Sequence, residues 1–166
     1  MVVVADTSPI NYLAQINGTD LLRKLYGNLI SPEAVLSELQ QPATPRAAYS
    51  WAADLPDWVQ LRKPAQPIRA ELQTLGRGES EAIEIALESS ANMVLIEERK
   101  ASLIAEQAFD LRVIGTLGIL LQADAAGFVN GREAFQTLCT QTNFHWTPEL
   151  KERFQQLLSS NSTPRL

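Results

Sequence analysis

The sequence predicts an α/β domain built on a mainly parallel central sheet. Two observations carry that expectation. Short apolar runs, Val2-Val3-Val4-Ala5 and Met93-Val94-Leu95-Ile96, read as strands buried on both faces, the kind found inside parallel sheets. Between such runs lie segments whose apolar residues recur at helical spacing, and strands alternating with helices give a parallel sheet. The 166 residues, 45% hydrophobic and 20% charged, are enough for one domain with a full core.

The first run meets Asp6-Thr7-Ser8-Pro9, which stops the strand. Asp6 therefore stands at the carboxyl end of a central strand, the edge where open α/β sheets bind ligands. The plainer alternative is that Asp6 caps the next helix. A short helix over 11–16 closes at Asn17-Gly18, and Thr19 can cap a second with Leu21, Leu22 and Leu25 as its stripe. Leu29-Ile30 is a brief strand. Ser31-Pro32-Glu33 reads as N-cap, first-position proline and first-turn acid of a helix to about Gln40. On that helix Ala34, Val35, Leu36 and Leu39 span the apolar arc, and Glu38 falls at its edge. A carboxylate there must reach solvent, find a partner or line a cavity.

Gln41 to Pro45 breaks the chain. A helix over 46–53 can pack Tyr49 and Trp51 inward, and Trp58-Val59-Gln60-Leu61 alternates like an edge strand. After the loop Lys63-Pro64-Ala65-Gln66-Pro67 a helix is expected to Leu75. Gly76-Arg77-Gly78 then opens a helix from Glu79 to Glu88; the two glycines lack the lysine and spacing of a phosphate-binding loop. On its wheel Glu81, Glu84 and Glu88 fall together as a solvated face, whereas Glu79 falls with Ile83 and Ala86 on the apolar side. The run at Met93 ends in Glu97-Glu98, a second strand delivering acids at its carboxyl end. A helix over 99–108, a strand over 111–114, and helices over 117–126 and 132–142 follow, the last with Phe135 and Leu138 inward. Thr147-Pro148-Glu149 starts a final helix with Leu150, Phe154, Leu157 and Leu158 as its stripe. Residues 1–158 are expected to form one domain and 159–166 a flexible tail.

Composition removes several classes of function. Cys139 is the only cysteine, so there is no disulfide framework and no thiolate zinc site. It reads as core, and the lone His145 as structural. No apolar run is long enough to span a membrane and no basic-then-apolar leader precedes Val2, so a cytoplasmic location is expected. A net charge of -5 argues against a broad basic surface for nucleic acid, but not against carboxylates that reach phosphates through a metal.

The candidate site is the set of acids delivered to one edge: Asp6, Glu38, Glu79, and Glu97 or Glu98. Like charges brought together repel unless a cation sits among them. Hard carboxylate oxygens suit Mg2+ or Mn2+ rather than zinc.

Four stretches in order carry a resemblance: Val3-Val4-Ala5-Asp6-Thr7-Ser8-Pro9; Ile30-Ser31-Pro32-Glu33-Ala34-Val35-Leu36-Ser37-Glu38-Leu39; Gly78-Glu79-Ser80-Glu81-Ala82-Ile83; and Val94-Leu95-Ile96-Glu97-Glu98-Arg99-Lys100-Ala101. Together they resemble the PIN-domain family, metal-dependent ribonucleases that include VapC-like toxins, in its branch of short prokaryotic proteins with a Gly-Glu-x-Glu-Ala-Ile signature. The likeness continues through Val113-Ile114-Gly115-Thr116-Leu117-Gly118 to the last helix.

The resemblance implies a three-layer α/β/α fold with C-terminal helices. It implies an endoribonuclease, the toxin of a toxin–antitoxin pair, that hydrolyses RNA phosphodiesters with a metal-activated water. Asp6, Glu38, Glu79 and Glu97 would be the catalytic metal ligands, with Glu81 and Glu98 as alternates, and Mg2+ or Mn2+ the cofactor. Thr7 or Ser8 would orient a ligand or water, and Arg77, Arg99 and Lys100 would contact phosphate. The partners implied are RNA, an antitoxin protein and a second copy of the chain. The family usually has aspartates where this chain has Glu97-Glu98, and a longer side chain at a rigid strand end implies a slower enzyme. The alternatives are a PIN-like module that binds RNA or protein without hydrolysis, and a small-molecule α/β domain whose acids point apart.

Overall fold

The structure, a computed structural model, describes residues 1–160. Five strands, β1 (Val3–Ala5), β2 (Leu29–Pro32), β3 (Val59–Arg62), β4 (Met93–Leu95) and β5 (Val113–Ile114), form one sheet in the order β3-β2-β1-β4-β5. Every pairing is parallel; Val3, Val4 and Ala5 face Met93, Val94 and Leu95, and Val4 also pairs with Ile30. The chain builds outward from β1 to β3 and then returns to lay β4 on the other side of β1. Such an order reversal opens a crevice at the strands' carboxyl ends, between β1 and β4, where ligands bind.

Nine helices surround the sheet among the described residues: α1 (Thr7–Gln15), α2 (Asp20–Tyr26), α3 (Glu33–Leu39), α4 (Arg46–Ala53), α5 (Arg77–Glu88), α6 (Arg99–Phe109), α7 (Thr116–Ala125), α8 (Gly131–Gln141) and α9 (Pro148–Ser160). The period-2 alternation of the strands divides the interior. Val3, Ala5 and Leu95 join Leu13, Leu22, Ile119, Leu138 and Phe154 on one face, while Val4, Val94 and Ile96 join Ile83, Ala86, Ala101 and Ala105 on the other. This is the expected three-layer α/β/α arrangement.

Several local expectations are corrected. Helix α1 begins at Thr7, not near Asn11, because Pro9 fits a first helical turn. Ser31 is not an N-cap: it pairs with Leu61 inside β2, and its hydroxyl donates to the Ala5 carbonyl at 2.9 Å. Tyr49 and Leu157 face outward, and Ala48 and Ala52 make the inner face of α4. The helix expected before Gly76 is a single 3-10 turn, Ala70–Leu72. Its backbone is engaged elsewhere. The N–H groups of Ala65 and Gln66 donate to Glu88 at 3.0 and 2.9 Å, and the Arg69 N–H and Nε donate to Glu84 at 3.2 and 3.0 Å. The segment is thus strapped across α5, leaving Glu84 only 1% exposed. The expected solvated face of α5 lies partly beneath this strap. Helix α9 runs to Ser160 and so takes in the first two residues of the expected tail; 161–166 lie outside the described residues.

Candidate active site

Asp6 is carried one residue past β1 by its N–H, which donates to the Leu95 carbonyl at 2.9 Å. It occupies the N-cap position of α1 in extended conformation, yet its side chain makes no capping bond. Asp6 is 2% exposed, and its Oδ1 is buried with no hydrogen-bond partner. A buried carboxylate oxygen without a partner is costly, so helix capping does not account for this residue. Burial, with the charges of Glu79 and Glu38 adding to it, pushes the Asp6 carboxyl up to about 7; the Thr7 N–H and hydroxyl pull the other way.

Glu38 joins Asp6 from α3. One of its oxygens accepts from the Thr7 hydroxyl and the other from the Gly78 N–H at 3.0 Å, so α1, α3 and α5 are laced through this carboxylate. Gly78 explains how closely they meet. A Cβ placed on it would lie 2.7 Å from Glu38 Oε1 and 2.9 Å from Asp6 Oδ1. The two acids therefore share the space beside one glycine, and the Gly76-Arg77-Gly78 turn serves this close approach, a role the sequence reading did not assign.

The first turn of α5 places its acids differently from the wheel. Glu79 reaches back to accept from the Gly76 N–H at 3.0 Å and is half-buried; burial, then Glu98 and Glu38, raise its carboxyl. Glu81 is not solvated. It is 8% exposed, one turn beyond Gly78 on the same helical face; Arg77 Nε donates to its Oε1 at 2.8 Å, and its Oε2 has no partner. Among the described residues two buried carboxylate oxygens are thus left open, on Asp6 and Glu81.

The acids after β4 are occupied. Glu97 Oε2 accepts from the Thr116 N–H at 2.7 Å and the Thr116 hydroxyl at 2.6 Å, at the start of α7. Glu98 caps α6, accepting from the Ala101 N–H at 2.7 Å. The anchoring role of Thr116 was not anticipated; its signal is the Gly115-Thr116 pair that ends β5. Ser8 is half-buried in the first turn of α1. Of the three expected phosphate contacts, Arg77 is engaged by Glu81, whereas Arg99 and Lys100 are exposed at the start of α6, where Lys100 counters the charges on Glu79. His145 is exposed, and Cys139, half-buried, packs against the core.

Among the described residues no three His, Cys, Asp or Glu side chains stand close enough to hold a metal ion as a group. The donor set still suits Mg2+, which commonly binds through one or two carboxylates together with waters and substrate phosphates. Asp6 and Glu38 provide two carboxylates beside an open oxygen.

Among the described residues no helix is long and apolar enough to cross a membrane. No curated protein and no solved structure matches the chain. A family model described as PIN domain matches residues 2–160, which spans every strand and all the acids above. With the parallel five-stranded sheet and the buried acidic edge, this match shows that the chain belongs to the PIN-domain family.

Proposed function

We propose that the protein is a divalent-metal-dependent endoribonuclease centred on Asp6 and Glu38. PIN domains are generally nucleases that use divalent ions. The observation that carries the reading is the Asp6 carboxylate: buried, crowded by Glu38, uncapped, and open on Oδ1. Asp6 and Glu38 would hold Mg2+ or Mn2+, with Glu79, whose charge acts on Asp6, and Glu81, whose Oε2 is open, as the candidate further acids. A bound ion supplies Lewis acidity toward a phosphodiester and activates water for its attack. The Thr7 hydroxyl and Gly78 N–H fix the Glu38 carboxylate, and such support around a ligand typically changes affinity or activity by about 10–100-fold. Glu97 and Glu98 remain candidate ligands through their second oxygens, and Arg99 and Lys100 candidate phosphate contacts. The toxin role, an antitoxin partner, a homodimer and a cytoplasmic setting extend this reading by family resemblance.

A weakened or purely binding PIN-like module is the second reading. It is favoured by the Thr116 and Ala101 bonds that occupy both glutamates after β4. A titration separates the two. Millimolar Mn2+ should raise the melting temperature, because an ion relieves carboxylate repulsion in the folded state only, and it should support cleavage of a fluorescent RNA. A melting temperature indifferent to Mn2+ sinks the metal site; a shift without cleavage of any RNA selects the binding module.

A further inference from the structure

A groove of 520 Å3 shares Thr7 and Glu38 with the acidic edge. Its chemistry differs from the rest of this acidic chain. Among the described residues that line it, Glu38 is the sole ionisable side chain and none is aromatic; amides and hydroxyls dominate. One wall is a stripe along α1. Thr7, Asn11 and Gln15 recur at every fourth residue, so they stand one above another on a single helical face. Gln41, from the segment after α3, and Asn143, from the segment after α8, also line the groove.

The amides of the stripe are already arranged. Gln15 Nε2 donates to Asn11 Oδ1 at 3.2 Å. This leaves the Asn11 amino group as a donor and Gln15 Oε1 as an acceptor, side by side along the helix. Gln41 Nε2 donates to the Ser37 carbonyl at 3.0 Å, which leaves its oxygen as the acceptor of that amide. A neighbouring donor and acceptor is what the edge of a nucleobase requires, since each base presents an acceptor beside an N–H donor. A phosphate would find no cation here. A protein segment would find none of the aromatic or arginine anchors that dominate protein interfaces.

We propose that this groove is a nucleobase subsite for single-stranded RNA beside the scissile phosphate, and that Asn11 and Gln15 read the edge of the base. The assignment rests on the ribonuclease reading above. It makes the α1 stripe a specificity element, continuous with the Thr7 hydroxyl that holds Glu38.

The test uses fluorescein-labelled hexaribonucleotides of A, C, G and U. Binding is followed by anisotropy in Ca2+ and in EDTA, and cleavage is measured separately in Mn2+. The parent should prefer one homopolymer by about tenfold, the scale of one well-made pair of base contacts. Asn11→Ala and Gln15→Ala should flatten that preference to within about twofold, at unchanged melting temperature. Gln15→Glu is close to isosteric but loses the donor to Asn11, and should weaken the preferred homopolymer most; it carries the test if either alanine variant folds poorly. A parent that binds no RNA or prefers no base overturns the proposal. So does a preference that survives all three changes, which would turn the groove over to a peptide partner. The two readings fail separately. Base preference lost in the variants without any cleavage keeps the subsite and removes the nuclease; cleavage with no base preference does the reverse.

Discussion

The carboxylates at the carboxyl ends of β1 and β4 belong to the same crevice but live in opposite circumstances. Asp6, after β1, is at a helix N-cap and makes no cap, leaving Oδ1 open at 2% exposure. Glu98, after β4, is also at an N-cap and does cap, and its neighbour Glu97 takes two donors from Thr116. On one side of the crevice a buried carboxylate oxygen is left without a donor; on the other, helix N-termini supply donors to the acids. An acid's position in the chain therefore does not decide whether it is available for a ligand. The backbone donors that reach it do.

The largest effect should come from removing the open charge. Asp6→Asn keeps the shape and should lower metal-supported cleavage by at least about a hundredfold, the cost of a misplaced reacting group, while folding persists. Cleavage at the parental rate would erase the contrast between the two sides.

The same residue predicts how the metal-free protein responds to pH. Burial raises the Asp6 carboxyl from 3.8 to about 7, so the folded state keeps a proton that the unfolded chain releases. Stability from this group is full below pH ~4, declines as pH rises toward 7, and is flat above. Denaturant unfolding should show the parent losing a few kcal/mol over that window. Asp6→Asn should remove most of the slope, and Mn2+ at pH 8 should restore much of the loss. A parent and variant with equal slopes would mean that Asp6 is ionised throughout and already compensated.

Gly78 tests the crowding itself. A Cβ there would stand 2.7 Å from Glu38 and 2.9 Å from Asp6, so Gly78→Ala must separate the acids or shift α5. Overpacking of this kind costs about 1–3 kcal/mol, to be read from chemical denaturation, and the Mn2+-induced rise in melting temperature should shrink with it. A stable variant with a full Mn2+ response would show that the glycine is not needed for the approach.

How far the sequence revealed these two sides follows from where each partner lies. Asp6 and Glu38 were identifiable because a strand end and a helical wheel are local patterns. Glu84 does not show as buried on the wheel because what covers it, Arg69, comes from the preceding strap, whereas the partner of Glu81, Arg77, lies one turn back on the same helix and is a local pairing. The availability of Glu97 could not be read locally, because Thr116 arrives 19 residues later, from the far side of β5. The parallel sheet was recognisable from apolar runs, whereas Ser31 looked like a cap because its strand partner Leu61 is distant in sequence.

The smallest effect discriminates most finely. Glu97→Gln retains an oxygen that can accept from both the Thr116 N–H and its hydroxyl, but removes the charge. If the carboxylate serves chiefly to anchor α7, the variant loses only the charge-assisted part of two bonds and the interaction with the helix N-terminus, about 1 kcal/mol. Thr116→Val removes the hydroxyl donor from a fully buried residue and should cost a similar amount. Neither change should alter the Mn2+-induced shift in melting temperature, and cleavage should stay within a few-fold of the parent. The opposite outcome is equally readable. A carboxylate anchored through Oε2 still has Oε1, and ligands held by a second partner are common at metal sites. If Glu97→Gln abolishes both cleavage and the Mn2+ shift while Thr116→Val only weakens them, Glu97 is a ligand oriented by Thr116, and the crevice is one four-acid centre rather than two unlike sides.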